Sequence, residues 1–328
     1  MKIKSAVVLS ALLCFSGFLF AQNEDPLKFH IVTDVTYSPA TDYVPGDTHF
    51  APITGAYSGF DARTTFNTTY RLPTPLGENF LLNGAHLDLN GHIELSPVTI
   101  KGGVQATFSP LPFLEFQAGG ELGSGWNLGG ITGIAFYNGN EYEAVTPFSG
   151  MLYKAWLRGL FQFDTGAIWS GNWTHVVMQY TYQAYYHGFT GTQSNNLWGW
   201  QADIHYLDGW CSYQCAILAY QMPLVLYRIG GMFEAEHNYN DKNLNPAYKP
   251  FNGAYNKLSI SPIMPFKFGS KDTLSCAFTF ASRRSFGVPH NSSNEEPKLT
   301  TTGTEWYFKR AAFSWTHNFL INQVNIWV

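Results

Sequence analysis

The chain has 328 residues, of which 17% are aromatic and only 13% charged, with a mean hydropathy of −0.12. Soluble domains carry roughly 25% charged residues, and disordered chains are poor in aromatics, so neither class fits. Past residue 23, no stretch reads as about 20 predominantly apolar residues, which argues against membrane-spanning helices. A formal net charge of −4 argues against nucleic acid as a partner. This combination favours a transmembrane β-barrel.

The first residues have the pattern of a secretory signal peptide. Lys2 and Lys4 precede an apolar run from Ala6 to Phe20, and Ala21 precedes a polar stretch. We therefore expect a signal peptide over residues 1–21, a short leader over 22–28, and a single barrel domain over 29–328.

Apolar and polar side chains alternate strictly, with a two-residue period, in many segments along the rest of the chain. The first strand is expected at about 29–37, with Phe29, Ile31, Val35 and Tyr37 on the outer face. In Phe60–Leu72 the apolar and polar side chains separate cleanly by parity, as lipid-facing and lumen-facing residues do in a membrane barrel strand. The same alternation marks residues 85–95, 98–108, 114–122, 176–186, 198–206 and 274–280.

The connections alternate in length, as they do in transmembrane barrels with long outer loops and short periplasmic turns. Long loops are predicted near 38–59, 125–149, 188–196, 238–254 and 287–303, and short turns near 73–79, 109–113, 164–166, 221–224 and 267–272. This order requires a turn near Ser96-Pro97 and one long strand over 197–220, despite the turn-like Leu207-Asp208-Gly209. The sequence therefore predicts an all-β, antiparallel transmembrane barrel of about 12 strands. The alternative is 14, if the Asp208-Gly209 break and the 131–137 stretch are both strand boundaries.

Imperfect parity around the adjacent Lys309 and Arg310 predicts a bulge in the last part of the chain.

Most charged side chains within the predicted strands share the polar parity. A Lys or Arg facing lipid at the bilayer midplane costs about 2–4 kcal/mol, so these side chains are expected to face the lumen. Both positive and negative side chains are present, so strong ion selectivity is not predicted. The expected lumen-lining residues are Asp61, Arg63, Arg71, His86, Asp88, His92, Glu94, Lys101, Glu115, Glu121, Lys154, Arg158, Asp203, His205, Arg228, Glu234 and Arg283.

Aromatic side chains cluster beside two predicted outer loops. The favoured interpretation is an interfacial aromatic girdle, and the alternative is a stacking platform for a solute at the mouth. The residues are Trp126, Phe136, Tyr137, Tyr142, Tyr182, Tyr185, Tyr186, Trp198 and Trp200.

Two fragments have the composition of chemical sites. His290–Asn294 is similar to the His/Ser neighbourhood of outer-membrane phospholipase, but it lies in a predicted loop rather than on a strand that would hold it. His86, Asp88, His92 and Glu94 project to one face at two-residue steps, but no second cluster completes a metal shell. We therefore predict no enzyme activity, no metal and no cofactor.

The signal peptide, the repeated alternation and the loop asymmetry together resemble bacterial outer-membrane β-barrel proteins, and Gly123–Asn127 is similar to a phrase of spirochaete barrels. The resemblance implies insertion into the outer membrane by the barrel insertion machinery, contact with membrane lipid, and passive passage of small solutes. The predicted function is a porin-like channel for small polar or amphipathic solutes. The alternative is a surface-exposed structural or adhesive barrel whose loops bind a partner and which has no open pore.

Overall fold

The computed structural model describes residues 26–76, 79, 81–82, 84–138, 141–191, 195–201, 203–240, 257–289 and 299–319. The predicted signal peptide, the His290–Asn294 fragment and residues 320–328 lie outside these ranges. Within them, no helix is long and apolar enough to cross a bilayer.

Twelve long strands in the described residues form one antiparallel sheet that closes on itself, because the first strand pairs with the last (Phe29 opposite Phe319). The prediction of an all-β barrel of about 12 strands is confirmed. The wall strands are β1 Leu27–Ala40, β2 Gly55–Pro73, β3 His86–Leu95, β4 Thr99–Leu111, β5 Leu114–Gly125, β6 Leu152–Asp164, β7 His175–Phe189, β8 Gly209–Gln221, β9 Arg228–Asn238, β10 Lys257–Phe268, β11 Asp272–Phe286 and β12 Thr301–Phe319.

The two faces of the wall differ in polarity as the alternation predicts. On β2, Phe60, Phe66 and Tyr70 are 57%, 46% and 45% exposed, whereas Thr65 on the opposite face is buried. Because successive side chains of a strand point to opposite faces, one parity forms an apolar outer surface and the other lines the lumen. An exposed apolar surface that continues around a closed barrel is suited to lipid rather than to water.

Two local predictions about the wall are confirmed. Ser96 makes a tight turn between β3 and β4, where its Oγ accepts hydrogen bonds from the backbone N–H groups of Val98 (3.2 Å) and Thr99 (2.9 Å). In β12 the register shifts between Arg310, opposite Thr279, and Phe308, opposite Phe280. One extra residue therefore stands in β12, which is the expected bulge.

The prediction of one long wall strand over 197–220 is wrong. Trp198–Trp200 and Asp203–Tyr206 form a separate hairpin, and the wall strand begins only at Gly209, whose φ of 141° favours glycine. The hairpin joins Ile134–Tyr137 and Tyr142–Ala144 in a four-stranded sheet, here called the mouth sheet.

The Leu207-Asp208-Gly209 turn and the 131–137 stretch are therefore real breaks, but neither adds a strand to the wall, and the number stays at 12. Asp203 and His205 consequently lie on a strand of the mouth sheet and not on the wall strand that was expected.

Candidate functional site in the barrel lumen

Charged side chains of alternating sign cross the inner face of the first strands. Arg63 on β2 lies 3.2 Å from Asp34 on β1 and 3.6 Å from Glu94 on β3. Lys101 on β4 then lies 3.5 Å from Glu94 and 3.4 Å from Glu121 on β5. Each carboxylate in this series thus has a cation beside it, and each cation has two carboxylates.

The series continues across β6 to β9. Lys154 interacts electrostatically with both Glu121 and Glu236. Its ammonium lies 4.4 Å from the ring centre of Tyr185, a cation–π contact. The Tyr185 hydroxyl in turn donates a hydrogen bond to Glu236.

On the far side of the lumen, Arg310 of β12 interacts electrostatically with Asp61 of β2 and with Glu234 of β9. Glu234 also accepts hydrogen bonds from the hydroxyls of Tyr213 (2.5 Å) and Ser259 (2.9 Å). We call this whole set the charge belt: Asp34, Asp61, Arg63, Glu94, Lys101, Glu121, Lys154, Glu234, Glu236 and Arg310.

The buried charges of the belt lie next to charges of the opposite sign. Arg63 and Glu94 side chains are only 10% and 9% exposed, and buried charges of this kind are tolerated because they are paired. The belt has six carboxylates and four cations, and because the two signs alternate at short spacing along β1 to β5, no block of like charge forms there.

The lumen between the belt and the short turns is polar along β2 to β6. Thr69 Oγ1 donates to Asn90 Oδ1 (2.7 Å), and Asn90 Nδ2 donates to Thr107 Oγ1 (3.3 Å). Gln105 Nε2 also donates to Thr107 (3.0 Å), and its Oε1 accepts from Trp156 Nε1 (3.2 Å). Thr69, Asn90 and Gln105 are half-buried rather than buried. We call this ladder of amides and hydroxyls the polar arc.

The opposite side of the lumen is closely packed and buried, and its hydroxyls bond one another, as Ser261 and Thr279 do at 3.0 Å. Ile217, Met232, Ile263, Ala277 and Ala312, on β8 to β12, belong to one buried cluster with exposures of 0–3%. Accessible polar surface in the lumen is therefore concentrated on the polar arc.

The mouth sheet folds inward onto the wall at the long-loop end. Gln201, at the tip of the hairpin with a φ of 54°, donates from Nε2 to Thr99 Oγ1 at 2.6 Å. Trp200 packs over Gly123, where an added Cβ would lie 2.9 Å from the indole. The sheet thus partly fills the lumen opening above β4 and β5.

A buried carboxylate also holds the mouth sheet against the wall. Asp208 Oδ1 accepts hydrogen bonds from Trp198 Nε1 (2.8 Å) and from the backbone N–H of Phe189 (3.0 Å). Burial raises the pKa of Asp208, and these two hydrogen bonds act against that rise. His187 on β7 makes a further contact, with Nε2 3.1 Å from the carbonyl oxygen of Leu207.

A second loop, residues 41–54, is bound on the other side of the mouth. Arg283 of β11 pairs with Glu305 of β12 and donates to the carbonyl oxygens of Thr41 (3.3 Å) and Asp42 (2.9 Å). His49 Nε2 lies 2.9 Å from Glu305 Oε1. We call this segment the anchored loop.

Fifteen of the seventeen predicted lumen residues fall into four places, and His92 and Arg158 lie near the belt and between neighbouring strands. His92 lies beside the belt, 3.5 Å from Glu121, and Arg158 donates to Gln183 and Gln117 on the neighbouring strands. The belt holds Asp61, Arg63, Glu94, Lys101, Glu121, Lys154 and Glu234; the short-turn end holds Arg71, His86, Asp88, Glu115 and Arg228; the mouth holds Arg283; and the mouth sheet holds Asp203 and His205.

Several contributors were missed in the sequence. Asp34 has the parity opposite to Val35, so the alternation of the first strand could have revealed it. Arg310 could not be assigned a face because the bulge breaks the parity beside it. The roles of Glu305 and Tyr185 depend on contacts with strands and loops distant in sequence.

The girdle interpretation is wrong for the aromatics that belong to the mouth. Tyr137, Trp198 and Trp200 are 0%, 1% and 7% exposed within the mouth sheet, and Tyr185 is buried in the lumen. Tyr182 does lie on the outer face and is 43% exposed. Among the described residues, no group of three or more His, Cys, Asp and Glu side chains is placed to hold a metal ion.

No protein-family model matches the chain, and no match to the curated proteins is found. Solved structures similar to it include outer-membrane barrels at low identity. The KdgM porin in complex with disordered oligogalacturonate is 10% identical, covering 90% of this chain and 99% of that chain, with a TM-score of 0.38. The beta domain of the Bordetella autotransporter Brka is 7% identical (90% and 100% covered, TM-score 0.47), and Pseudomonas putida OprB is 9% identical (89% and 94%, TM-score 0.33). These likenesses concern the fold alone.

Proposed function

We propose that this protein is an outer-membrane channel for small polar solutes, narrow in bore and restricted at its long-loop end by the mouth sheet and the anchored loop. The observation that carries the proposal is the asymmetry of the lumen. A barrel that serves only as a scaffold can fill its interior with closely packed side chains, as the buried β8–β12 side does here. The polar arc instead keeps half-buried amides and hydroxyls along one side, as a path for a hydrated solute requires.

The solute class follows from the charge belt. Because carboxylates and cations alternate at 3.2–3.6 Å along β1 to β5, neither cations nor anions gain a one-signed field to follow. We therefore propose passage of small neutral or zwitterionic polar solutes, with weak ion selectivity.

The proposal includes a location and partners. The apolar outer surface requires lipid, so the barrel is proposed to lie in an outer membrane. It is proposed to reach that membrane through the signal peptide of residues 1–21 and to be inserted by the barrel insertion machinery.

Conductance in planar bilayers tests the channel. The wild-type protein should give small current steps, and Trp200→Ala should give larger ones, because the Trp200 indole occupies lumen space over Gly123. Trp210→Ala is the matched control: Trp210 lies on the outer face and is 58% exposed, so its removal should leave the step size unchanged. Absence of current steps and of solute entry into liposomes for both the wild type and Trp200→Ala would overturn the proposal.

A further inference from the structure

The outer face of the described wall strands carries a polar patch in the middle of β7 and β8. On β7 and β8, the Tyr180 hydroxyl donates to Gln214 Oε1 at 2.8 Å. Gln214 is the sixth residue of the 13-residue strand β8 and lies opposite Tyr182 of β7. An amide therefore faces outward in the middle of the wall, at the depth of the lipid chains.

Further polar side chains extend this patch toward the long-loop end. The hydroxyls of Ser212 and Tyr239 lie 3.1 Å apart, and the Tyr239 ring lies 4.4 Å from the ring of His237. Tyr182 also interacts electrostatically with Tyr239. The Ser212 hydroxyl itself is buried beneath these side chains. We call the set around it the polar face: Tyr180, Tyr182, Gln214, His237 and Tyr239.

The rest of the described outer wall differs. The polar side chains that alternate outward in the middle of other strands are threonines, such as Thr33 and Thr64, whose hydroxyls bond each other at 3.2 Å. The two hydroxyls of such a threonine pair bond each other within the wall of a single barrel. A glutamine amide has two N–H donors and a carbonyl with two acceptor positions, of which the Tyr180 hydroxyl uses one, and lipid chains offer it no partner.

Small side chains lie within and beside the polar face. Ala184 lies opposite Ser212, and Ala235 lies opposite Gln214. At Gly231, an added Cβ would meet no atom within 4 Å. Small side chains let two membrane segments come together until polar side chains can bond between them.

We propose that the polar face is the contact of a twofold dimer, in which β8 of one copy packs against β8 of a second copy of this chain. The groups on the face argue for this occupant, because hydroxyl, amide and imidazole each donate and accept and thus complement an identical surface. A second copy inserted in the same direction also presents its Gln214 at the same depth. Such a self-complementary contact is what a twofold interface requires.

Cysteine cross-linking in membranes tests the contact. Ala216→Cys, two residues from Gln214, should form a disulfide-linked dimer on mild oxidation, with a yield several-fold above that of Val104→Cys. Val104 lies on the outer face of β4 and is 69% exposed, so it is a matched control away from the polar face. The native cysteines 211, 215 and 276 are buried, so their background should be low.

The particle mass in mild detergent gives an independent measurement. The wild type should have the mass of two chains and Gln214→Leu the mass of one, while Thr64→Val should leave the mass unchanged. A shift in gel mobility on boiling shows for each variant that the barrel is folded. The dimer would be overturned if Ala216→Cys and Val104→Cys cross-link equally. It would also be overturned if the folded wild type has the mass of one chain, with or without bound polar lipid. Neither measurement depends on whether the lumen conducts.

Discussion

Removal of Arg63 from the charge belt should destabilise the barrel far more than removal of a more exposed arginine at the short-turn end. In Arg63→Met, the Asp34 carboxylate loses the cation at 3.2 Å, and Glu94 loses the one at 3.6 Å. Both carboxylates are less than 10% exposed. Breaking a buried pair by removing one partner costs about 3–5 kcal/mol, and since Lys101 still lies beside Glu94, we expect about 3 kcal/mol.

Arg71→Met is the matched control, on the same strand and with the same change of side chain. Arg71 pairs with Asp88 at 2.8 Å, but it is 34% exposed, and exposed pairs contribute about 0–1 kcal/mol. The free energy of unfolding would be measured by urea titration in phospholipid vesicles, followed by tryptophan fluorescence.

A companion variant isolates the cause. If the orphaned carboxylate is responsible, Asp34→Asn should recover part of the stability lost in Arg63→Met, because the uncompensated charge is then removed. Losses for Arg63→Met and Arg71→Met that agree within about 1 kcal/mol, or no recovery in the double variant, would refute the reasoning.

Two further predictions concern the mouth. The hydrogen bond from His49 to the carbonyl oxygen of Asp47, together with Glu305, raises the pKa of His49 above 6.5. The contact of protonated His49 with Glu305 should therefore hold the anchored loop fully below about pH 6.5 and be lost as the pH rises through the raised pKa. Amide exchange over residues 41–54 should then accelerate at alkaline pH beyond its intrinsic pH dependence in the wild type but not in His49→Gln. Gly209→Ala should lower the free energy of unfolding by at least about 1 kcal/mol, because the φ of 141° is strained for alanine and the new Cβ would lie 2.5 Å from Asn240 Cβ; an unchanged urea midpoint would contradict this.

The wall of the barrel could be predicted because its signal is local. A strand places successive side chains on opposite faces, so Phe60–Leu72 shows its lipid and lumen faces within 13 residues. The Ser96 turn and the β12 bulge are also local, and each was recognisable from adjacent residues. The same local logic placed most of the charged residues on the inner parity, although it could not say which of them are neighbours.

The mouth of the barrel was decided by contacts between residues far apart in sequence. Gln201 bonds Thr99 across 102 residues, and Arg283 bonds Thr41 across 242. The alternation of 198–206 looks the same whether the segment faces lipid or packs inside the lumen, because two-residue periodicity reports two different faces and not what covers them. The sequence by itself determined the barrel, its strand number and the polarity of its two faces. Only the tertiary structure decided which loops enter the lumen and which charges pair, because those choices depend on closing the wall into a ring.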